Sequence, residues 1–316
     1  MARILVTRYL PDEALAPLDD AGHEIVRPSD DTPYSTAELA GLAPAFDGMV
    51  CVLTDRVDGS VLEAGAAGRL RVVANAAVGY DNIDVAAAAR VGVAVCNTPG
   101  VLDAATADLA FLLVLAAMRR ASDAEDDLRS GRWTGWAFGD HLGRDVSGAC
   151  LGLVGYGRIG REVARRAAGF GMEVVHHARH PTGQPGYVPH LDELLRRADA
   201  ASLHVPLTEA TRHLIGRPQL ALMKPTAVLV NTARGGVVDE EALMTALREG
   251  TIFGAGLDVF EDEPRLDPRW LDTPHVTLLP HLGSATTQTR VRMGQLACRG
   301  VCDVLAGLVP PNLVAP

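Results

Sequence analysis

At 316 residues the chain is long enough for two domains with cores of their own, and 48% hydrophobic with 22% charged residues is the composition of a soluble globular protein. Only 4% is aromatic, so Ala, Val, Leu and Gly must fill the interior, which suits helices packed on a buried parallel sheet. Lys plus Arg number 29 against 39 Asp plus Glu, and this net charge of −10 argues against general affinity for nucleic acid or anionic membranes. An anionic ligand would need a locally positive site, made by arginine or by helix N-termini.

The N-terminal apolar run stops at Arg8 and Pro11, so it is read as a first strand rather than a signal peptide. Ile4–Thr7, Gly48–Leu53, Val72–Ala74 and Val93–Cys96 are strand-like, with helical segments such as Ser60–Ala67 and Val85–Arg90 between them. This alternation predicts βαβ units and a parallel sheet. After a break at residues 97–100, Ala104–Arg120 reads as one long helix, apolar on nearly every side and buried between larger units. Its most apolar stretch, Leu109–Met118, is too short to span a bilayer.

A second alternating series begins near Ala149, with strands expected at Cys150–Val154, Met172–His176, Ala200–His204, Ala227–Asn231, Gly254–Asp258 and Val276–Leu279. Six such strands suggest a complete doubly wound sheet. A helix over Thr286–Ala306 and a Pro-rich tail follow. The cysteines, Cys51, Cys96, Cys150, Cys298 and Cys302, form no C-x-x-C pair, and no histidine stands beside the last two. No metal site is expected, and reduced, mostly buried thiols fit a cytoplasmic protein.

Gly155-Tyr-Gly157-Arg158-Ile159-Gly160 places G-x-G-x-x-G directly after an apolar strand and before the helical run Arg161–Phe170. Gly155 would make the tight turn, Gly157 would let a pyrophosphate approach the backbone, and Gly160 would let helix and strand pack closely. The helix N-terminus adds free N–H groups and the positive end of its dipole. NAD sites usually carry an acid after the next strand, but the sequence there is Val174-Val-His-His-Ala-Arg179-His-Pro. Arg179 could bind a 2′-phosphate bidentately, so NADP is expected in preference to NAD.

Three polar signals stand at the ends of later strands, where open α/β sheets bind their ligands. They are Arg234 in a Gly-flanked turn, Asp258 with Glu263 before a proline, and His281. With Val78-Gly-Tyr-Asp-Asn-Ile-Asp84 and Thr98-Pro-Gly-Val-Leu-Asp-Ala-Ala-Thr106-Ala-Asp108, these motifs occur in an order that resembles the D-2-hydroxyacid dehydrogenase family over nearly the whole chain, most closely its glyoxylate/hydroxypyruvate reductase branch.

The resemblance implies reduction of a small 2-oxo acid to a D-2-hydroxy acid, with Arg234, Glu263 and His281 as the catalytic set. A protonated His281 would donate the proton, and Glu263 would orient the ring and favour its charged form. Arg234 would hold the substrate carboxylate and polarise the carbonyl. By the same resemblance the N–H groups of Val78 and Gly79 bind that carboxylate, and Leu53 and Trp136 shape the pocket. In relatives the Trp136 segment reaches into the neighbouring subunit, so a homodimer is implied. Cofactor contacts carry over to Thr106, Gly155, Gly157, Arg158, Ile159, Gly160, Val205, Pro206, Thr211, Ala233, Asp258 and Gly283.

The family fold is α/β, two doubly wound parallel-sheet domains with a cleft between them. A flavodoxin-like substrate domain would span 1–98, completed by 286–316, and a Rossmann cofactor domain 99–285. Phenylpyruvate-type or phosphoglycerate-type substrates remain alternatives, and a stop at Pro316 is expected to leave no room for the regulatory extension found on some phosphoglycerate dehydrogenases. Relatives that oxidise formate pair the histidine with Gln where Glu263 stands, and those that oxidise phosphite carry Lys at Val78. A dinucleotide-sensing, corepressor-like binding protein is the rival from another class.

Overall fold

The apolar runs become short parallel strands buried on both faces, and helices cover each face in turn, as parallel sheets require. The computed structural model describes residues 1–314. The chain divides into two units, Met1–Leu102 with Ala285 onward, and Asp103–Ser284.

The first unit runs β1 (Arg3–Val6), α1 (Asp12–Asp20), β2 (Glu24–Val26), α2 (Thr36–Leu42), β3 (Gly48–Cys51), α3 (Gly59–Ala67), β4 (Val72–Asn75), α4 (Val85–Val91) and β5 (Ala94–Cys96). Its sheet is ordered β2-β1-β3-β4-β5, all parallel. The short partly exposed β2 carried no sequence signal; pairing with β1 makes it a strand. Helix starts are written locally. Ser35 and Glu38 form a reciprocal capping box on α2, and Asp58 and Asp84 cap α3 and α4 through first-turn N–H groups. β3 ends at Cys51, two residues before the expected Leu53, which places Leu53 in the following turn.

The second unit runs α5 (Asp103–Arg119), α6 (Ala121–Arg129), β6 (Cys150–Val154), α7 (Arg158–Gly169), β7 (Glu173–His177), α8 (Leu191–Arg197), β8 (Ala200–Leu203), α9 (Arg217–Leu220), β9 (Val228–Asn231), α10 (Glu240–Arg248), β10 (Gly254–Leu257) and β11 (Val276–Leu278). The chain then returns to the first unit as α11 (Thr287–Leu305), packed along α1. In the second sheet the order is β11-β10-β9-β8-β6-β7, again all parallel.

Alternation along each strand divides the core of this unit. Leu151, Leu153, Val228 and Val230 face α5 and α7, while Val154, Leu203, Leu229 and Leu257 face α8, α9 and α10. Each such side chain, fully withdrawn from water, contributes roughly 1.5–3 kcal/mol. The long helix α5 covers the sheet of its own unit with Ala107, Ala110, Leu113, Val114 and Ala117, while Leu112 is half exposed.

The helix after the glycine turn also starts earlier than expected, at Arg158, because Gly157 takes an extended conformation at the N-cap. Among the described residues no helix is long and apolar enough to cross a membrane. All five cysteines are free thiols, and only Cys302 is not buried.

Candidate active site

Where β6 gives way to α7 the chain turns at Gly155, with φ +99°. A Cβ at this position would lie 2.5 Å from the His204 carbonyl oxygen, and one at Gly160 would overlap the Gly155 carbonyl oxygen, so both close approaches require glycine. Gly157 differs: a Cβ there would meet nothing within 4 Å, leaving open space beside the helix start. With no side-chain cap on α7, its first-turn N–H groups are available to an anion. A pyrophosphate fits this turn. Arg158 and Ile159 form the first turn of α7, and Arg158 is near enough to Asp103 for its charge to oppose the upward push that burial gives that carboxyl.

The loop after β8 closes one side of the turn. Val205 lies against the Gly155 position, and Thr211 Oγ1 donates to the Pro206 carbonyl oxygen at 2.6 Å while accepting from the Thr208 N–H at 2.8 Å. Desolvation pushes the His204 imidazole down to about 4, so this ring is neutral near neutral pH. Thr106 on α5, Asp258 after β10 and Gly283 are also brought together: a Cβ on Gly283 would be 3.3 Å from Asp258 Oδ2 and 3.4 Å from Thr106 Cγ2. Arg179 is exposed in the turn after β7.

Arg234, Glu263 and His281 stand at the carboxyl ends of successive strands. Asn231, the buried last residue of β9, shapes the Arg234 turn from both sides. Its Nδ2 donates to the Arg234 carbonyl oxygen at 2.8 Å, and its Oδ1 accepts from the Ala233 N–H at 3.0 Å. A Cβ at Gly235 would overlap the Phe260 carbonyl carbon, so the turn packs against the Glu263 loop only as glycine.

His281 Nδ1 lies 2.6 Å from Glu263 Oε2, and since a carboxylate only accepts, the ring nitrogen donates. The other carboxylate oxygen accepts from the Phe260 N–H at 2.8 Å. Desolvation, the largest influence, pushes the Glu263 carboxyl up. The hydrogen bond and charge of His281, the Phe260 N–H and the charge of Arg234 outweigh it and bring the group below its ordinary value. Stability from this carboxylate is present above the unfolded value of 4.5 and is lost as the pH falls through the lower folded value. Thermal melts should therefore show a gap between wild type and Glu263→Gln at about pH 5 that narrows as the pH falls further. A gap unchanged at still lower pH would contradict this.

His281 occupies the left-handed region at φ +57°, unusual for a residue with a side chain. Asp258 holds it there. Its carbonyl oxygen accepts from the His281 N–H at 2.9 Å, and its carboxylate oxygens accept from the Leu282 and Gly283 N–H groups at 2.6 and 2.8 Å. Burial raises the Asp258 carboxyl, and these donors oppose the rise. Sequence reading assigned Asp258 to the cofactor; the structure adds this clamp on the histidine loop.

Sequence reading also missed the anchor of the Glu263 loop. Glu240 accepts from the Glu261 N–H at 2.7 Å and from the indole of buried Trp270 at 2.9 Å. Only an acid following the helix-capping Asp239 hinted at it.

In the first unit, Asn97 Nδ2 donates to the Val78 carbonyl oxygen and Asn75 Nδ2 to the Gly79 carbonyl oxygen, each at 2.8 Å. In a planar trans peptide C=O and N–H point oppositely, so the Gly79 N–H faces away from Asn97. Leu53 is half-buried. In the second unit, Trp136 is 81% exposed, edge-on to Phe138 at 6.4 Å between centroids.

Residues 111–283 match the family model "D-isomer specific 2-hydroxyacid dehydrogenase, NAD binding domain". A glyoxylate reductase of Korarchaeum cryptofilum is 47% identical over 320 residues, 99% of this chain and 95% of that protein. Among solved structures, a Thermus thermophilus protein superposes with a TM-score of 0.92 at 44% identity, covering 99% of this chain and 100% of that one. An NADPH-dependent glyoxylate/hydroxypyruvate reductase from Sinorhizobium meliloti gives 0.87 at 35% identity, covering 100% and 98%.

Proposed function

Because the chain belongs to the D-isomer-specific 2-hydroxyacid dehydrogenase family, we propose that Arg234, Glu263 and His281 are the catalytic set with which it reduces small 2-oxo acids. The protein is an oxidoreductase using a nicotinamide dinucleotide, with glyoxylate or hydroxypyruvate as its substrate. The 2.6 Å contact between His281 Nδ1 and Glu263, beside the charge of Arg234, carries the reading of the set.

The cofactor, when bound, supplies the hydride. The Arg234 guanidinium grips the substrate carboxylate and stabilises the negative charge that grows on the carbonyl oxygen. His281 delivers a proton to that oxygen from Nε2, since Nδ1 is committed to Glu263. In this reading the Val78–Gly79 turn is a further carboxylate-binding element. Thr106, Val205, Pro206, Thr211, Ala233, Asp258 and Gly283 join the glycine turn around the cofactor. Cofactor oxidation with glyoxylate, hydroxypyruvate, pyruvate and phenylpyruvate tests the proposal. The highest kcat/KM is expected with the first two, and no turnover with any would favour a dinucleotide-sensing binding protein.

For the cofactor we infer NADPH over NADH, supported by the lack of an acid after β7 and by Arg179. A charged hydrogen bond is worth roughly 1.5–3 kcal/mol, so Arg179→Ala should cut the NADPH-to-NADH ratio of kcat/KM by about 10–100-fold. An unchanged ratio would overturn the assignment.

We also infer a homodimer. Leu128, Trp133, Trp136, Phe138 and Leu142 are all more than half exposed within one stretch of the second unit, an apolar display that a second copy would cover. A Trp136→Ala/Phe138→Ala double variant should sediment as a monomer where the wild type sediments as a dimer. A dimer in both would move the interface elsewhere. Buried free thiols suit a reducing compartment, and we place the protein in the cytoplasm.

A further inference from the structure

His176, on β7, is fully buried, and the mechanism makes no use of it. Its ring stacks on Tyr156, between Gly155 and Gly157, with centroids 3.7 Å apart and planes 17° from parallel. Nε2 lies 2.6 Å from Thr182 Oγ1, three residues beyond Arg179. The His176 N–H donates to the Gly186 carbonyl oxygen and its own carbonyl accepts from the Val188 N–H, both at 2.8 Å, forming a parallel bridge to Tyr187.

This bridge explains the strand order. Counted from β6 the sheet reads 2-1-3-4-5-6, whereas dinucleotide-binding sheets have a third strand outside the second. Here that strand is reduced to the bridge at Tyr187. The segment carrying Arg179 therefore leaves β7 and returns to it without a strand of its own, and the imidazole–Thr182 contact is a tie inside the excursion.

Nδ1 of His176 is buried without a partner among the described residues. An orphaned N–H is costlier than an orphaned lone pair, so the proton sits on Nε2 and is donated to Thr182. Desolvation first, then the charges of Arg161 and His177, lowers the pKa of the ring and favours this neutral form.

We propose that His176 is a positioning residue for cofactor selectivity: its hydrogen bond to Thr182 sets the turn that presents Arg179 to the 2′-phosphate, and its stack on Tyr156 supports the pyrophosphate turn. The inference rests on the reading of Arg179 as the 2′-phosphate ligand.

Steady-state kinetics with NADPH and with NADH on wild type, Arg179→Ala, His176→Phe, Thr182→Val, Thr182→Ser and the His176→Phe/Thr182→Val double variant test it. Phenylalanine keeps a ring for Tyr156 and removes only the donor. His176→Phe and Thr182→Val should each lower the NADPH-to-NADH ratio of kcat/KM about tenfold, through KM for NADPH rather than kcat. The double variant should be no worse than either single one, and Thr182→Ser should retain the wild-type ratio. Should His176→Phe fail to fold, the two Thr182 variants decide alone. If Arg179→Ala collapses the ratio while Thr182→Val leaves it unchanged, the positioning role is overturned and the cofactor reading stands. If Arg179→Ala itself leaves the ratio unchanged, the cofactor reading fails and this inference with it.

Discussion

Replacing His281 by Ala should lower kcat for glyoxylate by about 10³–10⁴-fold while the Kd for the reduced cofactor changes by less than about twofold. Two losses combine. The general acid disappears, and Glu263 Oε2 loses the donor now 2.6 Å away. Cofactor binding should survive because the glycine turn and the loop after β8 make no use of the imidazole.

The backbone needs a separate control. His281 sits at φ +57°, where alanine is strained and asparagine is tolerated. His281→Asn should keep the Asp258 clamp and still lose turnover to a similar extent. Activity restored by Asn would mean that loop conformation, rather than proton donation, is what the histidine provides.

Arg234 should give the second-largest effect. Lysine keeps the charge but not the planar fork, so Arg234→Lys should reduce kcat/KM for the 2-oxo acid by about 10²–10³-fold, with a raised substrate KM. Asn231 and Gly235 fix the backbone around this residue, so the variant should fold with the same turn. Arg234→Ala should be worse, since neither carboxylate binding nor charge stabilisation remains. A Lys variant within about threefold of wild type would show that charge alone suffices.

The candidate site was legible in the sequence because it is marked by uncommon residues at particular places. A glycine fingerprint follows a strand, and Arg, Glu and His stand at strand ends in order. Their supports were not legible, since each depends on partners far away in the chain. The Asp258 clamp joins residues 24 and 25 apart, and Trp270 reaches Glu240 across 30. β2 is too short to display a period, and the strand reduced to a bridge at Tyr187 has none. His176 looked like part of a strand; only the folded chain places its ring on Tyr156 and Thr182. Only the family resemblance pointed to Trp136, which is 81% exposed on its own chain.

The most direct test is the rate of NADPH oxidation by glyoxylate, compared between wild type and His281→Asn at equal cofactor saturation. The account predicts turnover in the wild type and a loss of about 10³-fold or more in the variant. Comparable rates in the two would contradict it.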